Sequence, residues 1–151
     1  MLIGIANDHR GFLLKQNLTE KLKQSGYNII DYGCNSYERC NYTDYGFLLG
    51  EALRDKKIDY GIAICGSAIG MSIVCNKVKK VRCGKLDTIE DAMHSKAMDY
   101  INIASISGSL EVDEAFNLIT TFINTENNLD SNYIMRVKQI EDYERGNIDE
   151  Y

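Results

Sequence analysis

Several features are missing from this chain of 151 residues, and each absence narrows what the protein can be. No apolar run approaches the length of a membrane-spanning helix. The amino terminus has no basic leader and reaches the charged residue Asp8 too soon for a secretory signal peptide. The five cysteines are odd in number and form no C-x-x-C pair, which argues against a zinc site. We therefore expect a cytoplasmic protein with reduced thiols and no membrane partner.

A concentration of positive charge is also missing. The net charge is −5, and the 17 lysines and arginines are scattered apart from a short cluster at 77–82. A nucleic-acid-binding protein needs a basic face or a recognition motif, so we exclude that class. With 44% hydrophobic and 26% charged residues, the composition is typical of a globular protein. The length predicts a single domain over residues 1–151.

Strand-like and helix-like segments alternate along the chain. Apolar strands are predicted at 2–6, 28–32, 60–64, 81–85 and 101–106. Helices are predicted at 11–25, 45–55, 71–77, 88–98, 112–123 and 133–144. This alternation predicts a three-layer α/β/α fold with a five-stranded, parallel, Rossmann-like sheet covered on both faces. The last helix follows a polar loop, so we expect it to pack on a partner subunit.

The segment after the third predicted strand is the most informative one. Cys65 ends that strand, small residues follow at 66–68, and the chain continues as a helix. Backbone N–H groups and the helix dipole at such a junction favour a phosphate, an enolate oxygen or a thiolate. Cys65 is therefore a candidate nucleophile or base, although cysteine is also a common small core residue. Gly70 is either a turn residue or a position where the backbone must approach a ligand.

Two other strand ends carry polar residues that could join Cys65. Asp8 and His9 follow the first strand, and Tyr42 lies in the region after the second. The carboxyl ends of parallel strands share one edge of the sheet, so these groups can converge. An acid beside an imidazole suits proton transfer, but Asp8 could also simply cap a helix. On pattern alone, Arg136 is a solvated charge.

These segments together resemble a known family. The resemblance rests on Asp8-His9-Arg10-Gly11-Phe12, on Tyr32-Gly33, on Glu38-Arg39 with Tyr42 and Tyr45, and on the block from Cys65 to Arg82. It covers nearly the whole chain. The last block is the most specific, because family members typically read CGTGIGMSIAANK followed by an arginine. The chain is similar to the sugar-phosphate isomerases that comprise type B ribose-5-phosphate isomerase and the galactose-6-phosphate isomerase subunits.

The resemblance implies a mechanism and a set of site residues. It implies that Cys65 takes a proton from the carbon beside the substrate carbonyl, that an enediolate forms, and that Ser67 assists proton movement between oxygens. It implies that Asp8 contacts sugar hydroxyls and that His9 and Arg136 hold the phosphate. The remaining substrate-binding residues it implies are Tyr42, Gly66, Ala68, Gly70, Ser72 and Asp99. No metal or organic cofactor is implied, and the site lies between two subunits of a homodimer, a higher homo-oligomer or a pair with a paralogue.

The chain departs from the family pattern at several positions. Met98 and Asp99 stand where the family has the His-Asn pair whose histidine assists ring opening, and His94 lies one helical turn earlier. Asn132 replaces one of two phosphate-binding arginines, and Ala68 replaces a glycine of the loop. We expect a ribose-5-phosphate isomerase. The departures leave two alternatives open: a galactose-6-phosphate isomerase subunit, and a non-catalytic relative that binds sugar phosphates.

Overall fold

The computed structural model of the protein describes residues 1–146. Its five strands are β1 (Leu2–Asn7), β2 (Asn28–Asp31), β3 (Tyr60–Cys65), β4 (Cys83–Lys85) and β5 (Ile103–Ser107). Its six α-helices are α1 (Phe12–Gln24), α2 (Tyr42–Arg54), α3 (Ile69–Cys75), α4 (Ile89–Asp99), α5 (Val112–Asn124) and α6 (Ser131–Glu144). The strands form one sheet in the order β2-β1-β3-β5-β4, and every pairing is parallel. The predicted α/β fold class is confirmed.

The differences from the predicted boundaries have local causes. A single 3₁₀ turn at His9–Gly11 precedes α1, because the Asp8 side chain caps it. The fourth and fifth strands each begin two residues later than predicted. Before them, the Asn102 side chain accepts from the Arg82 N–H at 2.8 Å, and Tyr100 is in the left-handed region with φ of +52°. The Arg82 N–H thus donates to a side chain rather than to a neighbouring strand, and the left-handed turn at Tyr100 interrupts the extended backbone before the fifth strand.

The alternation of side chains along β3 divides the core into two layers. Ile62 and Ile64 point to the layer formed with α1, α4 and α5, whereas Ala63 and Cys65 point to the layer formed with α2 and α3. All four are buried, and each buried isoleucine stabilises the fold by about 1.5–3 kcal/mol. The central position of β3 therefore places the Cys65 thiol beneath α3.

The helix α6 contacts the rest of its own chain at a limited set of positions. It packs against α4, and Glu141 accepts a hydrogen bond from the Arg82 guanidinium at 3.4 Å. It also exposes the apolar side chains of Ile134, Met135 and Ile140. Packing of this helix on a second subunit stays a prediction. No helix within residues 1–146 is both long and apolar enough to cross a membrane.

A buried lysine fixes the start of the loop that joins β2 to α2. Lys15 is only 2% exposed, and its ammonium lies 2.8 Å from the Asp31 carboxylate. It also donates to the Cys34 carbonyl at 2.7 Å and to the Asn35 side chain at 2.6 Å. Each of these acceptors belongs to the chain that leaves β2. Lys15 therefore anchors the first part of a loop whose later residues reach His9.

We expect Lys15→Met to lower the free energy of unfolding by about 1–3 kcal/mol, because it leaves a buried carbonyl and a carboxylate without their donor. The partial exposure of Asp31 keeps the loss below that of a fully buried pair. Urea denaturation followed by circular dichroism measures the change. Lys23→Met, at an exposed position of the same helix, is the matched control. Equal denaturation midpoints for the two variants would contradict the assigned role of Lys15.

Candidate active site

The loop after β3 presents a buried thiol beneath a helix. Cys65 is 4% exposed, and α3 begins four residues later at Ile69. Between them, Ala68 is in the left-handed region with φ of +65°, a conformation that L-residues with a Cβ adopt at a cost. Ser67 is exposed, and its hydroxyl accepts from the Ile69 N–H at 3.3 Å. The loop therefore turns sharply, with Ser67 exposed and Ala68 buried.

Two serines of β5 hold this loop in place. The Ser105 hydroxyl donates to the Ala68 carbonyl at 2.6 Å, and the Ser107 hydroxyl donates to the Gly66 carbonyl at 2.7 Å. Both serines lie beside the end of β3, because Ala63 pairs with Ser105 and Cys65 pairs with Ser107. Sequence reasoning missed these serines. Their spacing of two along a strand, which places both on one face, is the signal that could have revealed them.

Asp8 caps the 3₁₀ turn before α1, which is one of the two roles that the sequence allowed for this residue. One of its carboxylate oxygens, Oδ1, accepts from the backbone N–H groups of Arg10 at 2.9 Å and Gly11 at 3.1 Å. Its own N–H donates to the Ile64 carbonyl at 3.1 Å, which brings it to the end of β3. The cap uses Oδ1 and leaves Oδ2 outside it.

His9 is half-buried at the same edge, and its ring is oriented by the loop before α2. Its Nδ1 accepts from the Cys40 N–H at 3.3 Å. The neutral ring therefore carries its proton on Nε2, which can donate to an anion. Burial, followed by contact with the Cys34 thiol, raises the pKa of the Cys40 thiol to about 11. This thiol is neutral near pH 7 and adds no negative charge beside His9.

A cleft of about 630 Å³ opens beside His9. It is lined by Asp8, His9, Arg10, Arg39, Cys40, Asn41, Tyr42 and Thr43. Two further cavities, of about 410 and 660 Å³, open around the residues that precede β3 and β4 at the opposite edge of the sheet. Neither is lined by a predicted site residue. The cleft beside His9 is lined by Arg10 and Tyr42, the two residues that contact the Cys65 loop.

Glycines bring the cleft and the Cys65 loop into direct contact. A Cβ at Gly66 would lie 2.8 Å from the Arg10 Cδ, and one at Gly70 would lie 2.9 Å from the Tyr42 ring. Gly70 lies inside α3 rather than in a turn, so close approach explains it. The group that approaches is the Tyr42 ring. Arg10 and Tyr42 thus lie at the two ends of the loop.

The other cysteines have structural surroundings. Cys34, Cys75 and Cys83 are buried and Cys40 is half-buried, and no described cysteine forms a disulfide. A contact with Cys75, followed by burial, raises the pKa of the Cys83 thiol well above its usual value. Ser72, near the middle of α3, also contacts Cys83. Within residues 1–146, no three His, Cys, Asp or Glu side chains form a group that could hold a metal ion.

Two predicted site residues lie away from the thiol in a single chain. The helix α4 crosses from the carboxyl end of β4 to the amino end of β5, so Asp99 at its end lies at the opposite edge from Cys65. Arg136 is exposed on α6 with its guanidinium 5.7 Å from the Tyr133 ring centre, and it does not line the cleft beside His9. One chain brings together Asp8, His9, Tyr42 and the residues of the Cys65 loop, but it does not bring Asp99 and Arg136 to them.

We expect Ala68→Gly to raise the free energy of unfolding by about 0.5–1 kcal/mol. Glycine removes a left-handed strain of about 1–2 kcal/mol, and the greater freedom of the unfolded chain offsets part of that gain. Differential scanning calorimetry measures the change. Ala97→Gly, within α4, should instead destabilise by about 0.5–1 kcal/mol. If both variants lose the same stability, the backbone at Ala68 is not strained.

Comparison with known proteins identifies the family to which the chain is similar. The family model described as Ribose/Galactose Isomerase matches residues 3–140. Ribose-5-phosphate isomerase B of Mycolicibacterium paratuberculosis is 31% identical over 149 residues, which covers 96% of this chain and 92% of that protein.

Solved structures show the same fold. That of Clostridium thermocellum ribose-5-phosphate isomerase B has a TM-score of 0.92 and 32% identity, and the match covers 97% of this chain and 99% of that one. That of ribose-5-phosphate isomerase B from Mycoplasma genitalium with bound ribulose-5-phosphate has a TM-score of 0.88 and 28% identity, covering 95% and 96%. The fold, the cleft beside the Cys65 loop and the match over residues 3–140 lead to one conclusion: this chain belongs to the ribose/galactose isomerase family.

Proposed function

We propose that the protein is an aldose–ketose isomerase that interconverts ribose 5-phosphate and ribulose 5-phosphate. Membership of the family supports isomerase activity on a sugar phosphate. The single observation that carries the proposal is the position of Cys65. Its thiol ends a central strand and lies at the amino end of α3, and the loop that follows it contacts Arg10 and Tyr42, which line a cleft together with His9 and Arg39.

In this proposal the open-chain aldose lies with C2 against Cys65. The thiolate takes the C2 proton, the electrons move onto the carbonyl oxygen at C1, and an enediolate forms. The thiol then returns its proton to C1, while a proton moves from O2 to O1 and leaves a carbonyl at C2. Backbone N–H groups between Gly66 and Gly70 stabilise the enediolate charge, and the Ser67 hydroxyl assists the transfer between oxygens. No cofactor takes part in this sequence.

The proposed binding roles follow the positions of the side chains. Asp8 contacts sugar hydroxyls through Oδ2, and the Nε2–H of His9 donates to the phosphate. Tyr42 lies over Gly70, where it can contact the sugar and shield the loop from water. Ser72 lies one turn into α3, behind the same loop.

Ring opening is the step for which this chain lacks the family histidine. Met98 cannot transfer a proton, and His94 lies one turn earlier on the exposed face of α4. Pentose phosphates open spontaneously to some extent, so isomerisation of ribose 5-phosphate does not require this residue.

The product of the reaction would form in the cytoplasm, where the five thiols stay reduced.

A second candidate function is galactose-6-phosphate isomerase, alone or with a paralogous subunit. The description of the matching family includes galactose isomerases, and Met98 and Asn132 replace the histidine and arginine of the ribose enzymes. The same replacements support the non-catalytic alternative, in which the protein binds sugar phosphates without turnover. Assays with both sugar phosphates separate the three functions.

We expect purified wild-type protein to convert ribose 5-phosphate to ribulose 5-phosphate. Cys65→Ala should lower kcat by about two to four orders of magnitude, because it removes the base. Cys75→Ala, which removes a buried thiol behind the loop, is the matched control and should stay close to the wild-type rate. Equal rates for Cys65→Ala and wild type would contradict the assignment of the base. Turnover of galactose 6-phosphate alone would favour the second candidate.

We further propose that two chains form the site as a homodimer. The packed helices α2 and α3 expose neighbouring apolar side chains, which a partner could cover. They are Phe47, Leu48, Ile69 and Ile73. Such a dimer would let Asp99 and Arg136 of one chain meet Cys65 of the other, whereas they lie apart within one chain.

Subunit complementation tests this arrangement. Cys65→Ala and Arg136→Ala should each be weakly active alone at low substrate concentration. Chains mixed by reversible unfolding should regain up to about a quarter of wild-type activity, because each heterodimer contains one site with both native residues. If Arg136 serves Cys65 of its own chain, or if the protein is a monomer, the mixture will be no more active than its components.

A further inference from the structure

Arg10 lines the cleft beside His9, but the proposed reaction gives it no role. Three loops fix its backbone and side chain. The Asp8 carboxylate accepts from its N–H at 2.9 Å. A Cβ at Gly108, after β5, would lie 2.6 Å from its carbonyl oxygen, and a Cβ at Gly66, after β3, would lie 2.8 Å from its Cδ. The ends of β1, β3 and β5 therefore all meet at this one arginine.

The guanidinium itself lies against the Cys65 loop. Its Nη1 is 3.0 Å from the position that a Cβ at Gly66 would occupy, and Gly66 directly follows Cys65. If the only role of Arg10 were to make the surface soluble, its side chain would not need to lie against residue 66, and that residue would not need to be a glycine. Any larger residue at position 66 would push this side chain away from the loop.

The charge of Arg10 is available to a ligand. Arg54, Arg82 and Arg145 each lie within 4.0 Å of a carboxylate. By contrast, Arg10 is exposed and has no carboxylate within that distance among residues 1–146. Its exposure and its lack of a partner leave the planar donor group open to solvent.

The cleft that Arg10 lines suits a dianion. Arg39 and His9 line the same cleft, so two permanent cations and one imidazole face a space of about 630 Å³. The one carboxylate in the lining is Asp8, and the cap already uses its Oδ1. A phosphate monoester carries close to two negative charges near pH 7, and an arginine can hold it with two parallel hydrogen bonds.

We propose that Arg10 is a substrate-specificity residue that holds the phosphate of the sugar from the same chain as Cys65. It supplies the positive charge lost where Asn132 stands in place of a family arginine. The inference rests on the proposed function and deepens it, since it selects a phosphorylated sugar over the neutral sugar. Arg39 lines the same cleft and adds to its positive potential.

The test is the direct binding of ribitol 5-phosphate, an acyclic sugar phosphate with no carbonyl group. Isothermal titration calorimetry measures its affinity. Arg10→Ala should weaken its binding about 10- to 100-fold, and Arg10→Lys should fall in between because lysine keeps the charge without the planar fork. Arg54→Ala, at the opposite edge, is the matched control and should bind as wild type does. Inorganic phosphate should compete with ribitol 5-phosphate for wild-type protein and more weakly for Arg10→Ala.

Three results would overturn the proposal. One is equal affinity of Arg10→Ala and wild type for ribitol 5-phosphate. Another is a fall in kcat for Arg10→Ala with its KM and its affinity for ribitol 5-phosphate unchanged, which would assign Arg10 to the enediolate. The third is weaker binding matched by an equal loss in Arg54→Ala, which would indicate a general charge effect. If wild-type protein neither binds nor converts sugar phosphates, the proposed function itself fails.

Discussion

The parallel pairing of β1 and β5 with the central strand β3 is the constraint on which the site depends. Parallel pairing brings the carboxyl ends of three strands to one edge, and the main chain continues that alignment past the ends of the strands. The Asp8 N–H donates to the Ile64 carbonyl, and the Gly108 N–H donates to the Cys65 carbonyl. These hydrogen bonds place the three following loops side by side. The Cys65 thiol therefore shares one edge with the His9 imidazole and the Arg10 guanidinium, which are distant from it in sequence.

Small residues then decide how closely the loops approach. The Cys65 loop contains no bulky side chain before Ile69, which leaves room for Arg10 at one end and Tyr42 at the other. This close approach requires a left-handed backbone conformation at Ala68, which is unfavourable for a residue with a Cβ. The hydrogen bond from the Ser105 hydroxyl to the Ala68 carbonyl holds that conformation. Strain of this kind persists only where surrounding contacts enforce it, and it is concentrated at functional sites. The core layer formed with α2 and α3 lies behind the loop and supports it rigidly, since Met71, Cys75 and Val78 are buried there.

The sequence pattern predicted the fold and one edge of the site because both depend on local, periodic signals. The alternation of apolar strands and helices identified the parallel sheet, and the position of Cys65 at the end of a strand identified the edge. The spacing of Ser105 and Ser107 places both on one face of a strand, but it does not say which loop they contact, because that depends on which strands are neighbours. The contact between Arg10 and Gly66 depends on loop geometry, and the separation of Asp99 from Cys65 depends on the direction of α4. Such long-range relations are fixed by topology, which residue spacing alone does not specify.

The measurement that tests the central claim most directly is a crystal structure of the Cys65→Ala variant with ribose 5-phosphate. The claim is that the Cys65 loop and the cleft beside His9 form one substrate site. The account predicts C2 of the sugar in van der Waals contact with the Cβ of residue 65, oxygens at C1 and C2 facing the backbone N–H groups of the loop, and the phosphate beside His9. A sugar phosphate bound elsewhere, such as in either cavity at the opposite edge of the sheet, would contradict it.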